Sequence, residues 1–125
     1  MANAKEKTIA LLNSTTAVDM KTAQQNDLYA VPADKKAIIT HVVIHTTSAS
    51  LAGGTDYDLG TGASCDTWKQ TNDLSSLTTS GTDVIVITYA TKYTICAASS
   101  VFGIYVNTGS TAACTATIDV FGYLI

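Results

Sequence analysis

"CTATIDVFGYLI", residues 114–125, alternates with a period of two almost without a break. Ala116, Ile118, Val120 and Leu124 point one way, and Thr115, Thr117, Asp119, Phe121 and Tyr123 the other. Such a segment is a strand with one aliphatic face for a core. Its opposite face carries threonine and aspartate at one end and two aromatics at the other. Aromatics on the outward side of a strand suit burial against a second surface, either a neighbouring subunit or a loop of the same chain. Phe121 and Tyr123 are therefore oligomer-interface candidates.

The same grammar recurs upstream. "AIITHVVIHTTS" (37–48) is β-branched nearly throughout and is the clearest strand in the chain. "TIALLNS" from Thr8, "TAVDMKT" from Thr16, "DLYAV" (27–31) and "TDYDLGT" (55–61) are shorter strand candidates. "DVIVITYA" (83–90), "KYTICAA" (92–98) and "SVFGIYVNT" (100–108) add three more. "PADKK" (32–36) has proline to set φ and an aspartate suited to a turn. "GSTAA" (109–113) reads as a hairpin loop between the last two strands. No stretch sustains a helical period. "CDTWKQTNDLSSL" (65–77) comes nearest, with Asp66 placed to cap a turn or two. Short strands, turn residues between them and no long helix predict an all-β chain. The expected architecture is a single-domain antiparallel β-sandwich, jelly-roll-like, over residues 15–125. Residues 1–14 form an N-terminal arm or a first strand.

Composition narrows the function classes. The length, 125 residues, suits one domain. Charged residues make up 14%, where about a quarter is usual, so threonine, serine and small residues must cover the surface. Such a surface is compatible with large dry contacts to partners or to copies of itself. All seven basic residues are lysines, they are scattered, and the net charge is −3. Nucleic-acid binding, which uses clustered Lys and Arg, is not expected. No apolar run approaches the ~20 residues that span a bilayer, so no membrane insertion is expected. The N-terminus does not read as a signal peptide. Cys65, Cys96 and Cys114 show no CxxC spacing and read as small buried hydrophobes.

Two groups of residues invite a functional reading. "SLAGGTDYDLGTGASCDTW" (50–68) gathers four glycines, three aspartates and the one tryptophan. Tyr57, Asp58, Asp66 and Trp68 are the candidates for a ligand-reading tip, with Trp68 alternatively packed over the sandwich end. Asp56, Asp58 and Asp66 are calcium candidates, although no glutamate closes the loop at EF-hand spacing and no metal is assigned. His41 and His45 lie four apart in a strand, about 13 Å at 3.3 Å per residue, and cannot chelate one ion together. They are edge-of-core or solvated residues, or lie near an oligomer axis, and join the interface candidates. There is no GxSxG, no HExxH, no phosphate loop and no dinucleotide fingerprint. Neither catalysis nor a cofactor is expected.

"VPADKKAIITHVVIHTTSAS" (31–50) and "TATIDVFGYLI" (115–125) resemble the opening and closing strands of small jelly-roll virion proteins of tailed phages and prophages. The resemblance runs from about Ala30 to the end, with Asp34 where that turn would carry glycine. It implies a virion component assembled in the host cytoplasm. Such a component is typically a homotrimer that decorates or cements a capsid in contact with the major capsid protein or another virion protein. A tail or fibre part is the variant, and a lectin-like module that binds host-surface glycans is the alternative.

Overall fold

A computed structural model describes residues 8–88 and 94–125. Eight strands form: β1 (Ala10–Asp19), β2 (Gln25–Ala30), β3 (Ala37–His45), β4 (Asp56–Gly60), β5 (Lys69–Asn72), β6 (Ile85–Thr88), β7 (Val101–Thr108) and β8 (Thr115–Leu124). They divide into two four-stranded sheets, ordered β1-β8-β3-β6 and β2-β7-β4-β5, with antiparallel pairing throughout. The chain is an all-β antiparallel sandwich, as the period-two patterning predicts.

The inner faces follow the alternation. Ala116, Ile118 and Val120 of β8 are buried against Phe102, Ile104 and Val106 of β7, Tyr57 and Leu59 of β4, and Leu28 of β2. β3 keeps its aliphatics inside only by breaking step. Ala37 and Ile39 are buried, and so are Val42 and Ile44. A register shift against β8 between Ile39 and His41 accommodates the extra residue, Thr40. Thr40 Oγ1 donates to the Phe121 carbonyl (3.2 Å). The Ile39 carbonyl accepts the indole N–H of Trp68 (3.0 Å), and Trp68 meets Phe102 edge to face, ring centroids 5.7 Å apart. One irregularity thus ties the two sheets together.

Several segments differ from their sequence reading. "TIALLNS" and "TAVDMKT" merge into β1, which absorbs two register shifts against β8 and sets Ala17 at φ 56°. "GSTAA" is no hairpin loop. β7 and β8 belong to different sheets, so the loop crosses the sandwich, because Ile104 and Ile118 must face each other across the core. "CDTWKQTNDLSSL" contains no helix. Trp68 is drawn inside and Lys69–Asn72 pair with β4, a tertiary demand that overrides local propensity. "KYTICAA" lies partly outside the described residues, and its described part gives one bridge, Cys96 to Ala37. Residues 10–14 lie in β1.

The close approach at the β3 irregularity has a measurable consequence. A Cβ on Gly122 would run into the Ile38 carbonyl oxygen, whereas one on Gly62 would meet nothing and suffer only from φ 87°. Gly122→Ala is expected to destabilise by about 2–3 kcal/mol and Gly62→Ala by about 1 kcal/mol. Urea unfolding of both variants checks the order.

Candidate functional site

The outer face of the β1-β8-β3-β6 sheet holds all four interface candidates. Because the irregularity in β3 reverses its alternation, His41, Val43 and His45 face outward. Two cross-strand rows then span all four strands. In the first, Leu11 lies opposite Phe121, Phe121 opposite His41, and His41 opposite Thr88. In the second, Ser14, Asp119, Val43 and Val86 stand side by side.

The first row is held by ring stacking. His41 lies flat on Phe121, centroids 4.5 Å apart and planes within 5°. His41 Nδ1 also sits 3.0 Å from Thr40 Oγ1, so the bulge fixes the ring. Tyr123 follows on β8, half-buried and opposite Ile38. The second row is polar at one end. The Ser14 hydroxyl donates to Asp119 Oδ1 (2.5 Å), and His45 Nε2 meets Asp119 Oδ2 at 2.9 Å. An ionised carboxylate only accepts, so Nε2 carries the proton. Nδ1 is left to meet the Thr46 hydroxyl at 2.7 Å. β1, β8 and β3 are thereby clipped together on their outer side. Leu11 and Val86 flank these rows and are more than half exposed.

The loop candidates separate. Tyr57 and Trp68 do not stand at a tip. Both are core residues with 0% and 1% exposure, and their polar atoms are spent on the Met20 and Ile39 carbonyls. Alternation along β4 puts Tyr57 inward and Asp56 and Asp58 outward. Asp58 accepts from the Thr71 N–H (2.8 Å) and from Asn107 Nδ2 (2.9 Å), and Asp56 from the same amide at 3.4 Å. Asp66 does not join them, and no group of three or more metal-ligating side chains forms among the described residues. All three cysteines are free and buried.

Sequence reasoning missed Ser14, Val43 and Val86 as members of the outer face. Asp119 was visible as outward-facing, but its pairing with His45 needs the register of strands 74 residues apart. The exposed valine at 86 carried a signal: an apolar residue on the outward phase of a β-branched strand.

No protein-family model matches the sequence, and no curated protein matches it. Among solved structures, a chain of the cyanophage Pam1 capsid asymmetric unit is similar to it. The match covers 100% of this chain and 91% of that one, with a TM-score of 0.61 and 14% identity. At that identity the likeness is one of fold.

Buried ionisable groups give this core an alkaline limit. Burial pushes the Tyr57 hydroxyl from 10.0 to about 12. Burial, reinforced by the carboxylates of Asp27, Asp66 and Asp58, raises Cys65 from 9.0 to about 11, and burial alone does the same to Cys96. Each group holds its proton longer folded than unfolded, so the contribution of these three groups to stability is fully present below pH 9 and is lost as pH rises towards 12. Urea titrations across that range should show the decline. Tyr57→Phe should cost about 1 kcal/mol at neutral pH through the lost hydrogen bond and make the decline above pH 10 shallower.

Proposed function

We propose that the chain is a phage virion structural protein, a decoration or cement subunit that assembles as a closed homotrimer on a capsid shell and has no catalytic role. The observation that carries this reading is the full-length likeness of fold to a chain of a cyanophage capsid asymmetric unit. The low charged fraction and the outward Leu11, Phe121, Val43 and Tyr123 support it, because they suit contacts with other coat proteins. Symmetric closure is the usual outcome when one small chain covers a surface. On this reading the protein is made in the host cytoplasm and resides in the particle. Its partners are its own copies and the major capsid protein or another virion protein, and it uses no cofactor.

The glycan-binding alternative fares worse. Its two aromatic platforms, Tyr57 and Trp68, belong to the core. Trp68→Ala should therefore cost about 3–5 kcal/mol of stability rather than act on a binding surface.

The test is immunogold labelling of particles purified from a lysate that contains the chain, with mass spectrometry of the same fraction. Label spread regularly over the shell is the expected result. Label confined to tails would move the protein to the tail or fibre. Particles that lack the chain altogether would end the virion reading.

A further inference from the structure

Among the described residues, the sandwich is closed along one side and open along the other. Where β1 meets β2, Asn13 Nδ2 donates to the Leu28 carbonyl at 2.6 Å, and the two strands pack together. Where β5 faces β6, a single bond from Lys69 Nζ to the Thr88 carbonyl (2.8 Å) spans a groove of about 210 Å³ lined by Thr71, Leu74, Ile85 and Ile87. Sheet edges invite further strands, and proteins ordinarily blunt them with bulges, charges or prolines. Among the described residues, three of the four edges are blunted. β1 has two register shifts, β2 has one and carries Asp27, and β5 has Thr71 at φ 54° beside Lys69. Among its described residues β6 has no shift, charge or proline of its own, and the Lys69 ammonium reaches only its Thr88 carbonyl. Val84 and Val86 are each 57% exposed.

We propose that β6 is a self-association edge, pairing antiparallel with β6 of a second copy about a two-fold axis at Val86. The occupant is argued from self-complementarity. Centred on Val86, the pairing sets Val86 against Val86, Ile85 against Ile87 and Val84 against Thr88. Every position is β-branched, and no charge is opposed. It removes the exposed valines from water and continues both outer-face rows into the second copy. Within this pairing, Lys69 must give up the Thr88 carbonyl to the incoming strand. A two-fold contact of this kind joins closed oligomers to one another, or makes a dimer of single chains. It rests on the edge geometry and not on the virion reading.

The experiment measures mass in solution by light scattering for the wild type and Val86→Lys, with circular dichroism as the folding check. Non-reducing gels of Val86→Cys and Val84→Cys run alongside. The expected result is an even-numbered oligomer whose mass halves in Val86→Lys. A hexamer falling to a trimer would uphold both this edge and the trimer, whereas a dimer falling to a monomer would uphold the edge alone. Val86→Cys should cross-link, since paired Cα atoms about 5.5 Å apart admit a disulfide. Val84→Cys, about 13 Å from its symmetry mate along the strand, should not. A monomeric wild type, a mass unchanged by Val86→Lys, or equal cross-linking of the two cysteine variants would overturn the proposal. Should Val86→Lys fail to fold, the cysteine pair decides.

Discussion

One extra residue in the central strand governs this molecule. Read with strict alternation from Ala37, β3 would put His41, Val43 and His45 on the core side. Burying two imidazoles without partners would cost more than the strand could return. Thr40 is the inserted residue, and its hydroxyl bonds the Phe121 carbonyl, so the irregularity carries its own support. Val42 and Ile44 then complete the core, and both histidines reach the outer face.

The consequences spread in both directions. Inward, the Ile39 carbonyl accepts the Trp68 indole, which brings the tryptophan against Phe102 of the opposite sheet. Across the ladder, Gly122 leaves space where the Ile38 carbonyl approaches. Outward, His41 stacks on Phe121 and His45 engages Asp119, which also holds Ser14 of β1. The face that the virion reading uses, and the inner anchor that joins the sheets, therefore share one cause.

The two sheets present different chemistry to their surroundings. The outer face of β1-β8-β3-β6 is aromatic and aliphatic around one clipped carboxylate. The outer side of β4 carries Asp56 and Asp58, whose oxygens are occupied by Asn107 and the Thr71 amide. One outer side is thus largely apolar and the other polar.

The fold class was legible in the residues, because period-two alternation in 114–125 and the β-branched run of 37–48 leave those segments no other way to bury their aliphatics. The alternation also marked Phe121 and Tyr123 as outward, since their phase is opposite to Ile118 and Val120. The tertiary structure alone decided what joins what. "GSTAA" has the composition of a hairpin loop, yet it crosses between sheets, because strand partnership is set by core packing and not by the loop. Tyr57 and Trp68 sit among glycines and aspartates that look like a tip. Each finds a buried carbonyl acceptor, on Met20 or Ile39, that only the assembled sandwich supplies. The phase reversal at Thr40 is invisible in one strand read alone, because its warrant is the backbone of β8 lying opposite.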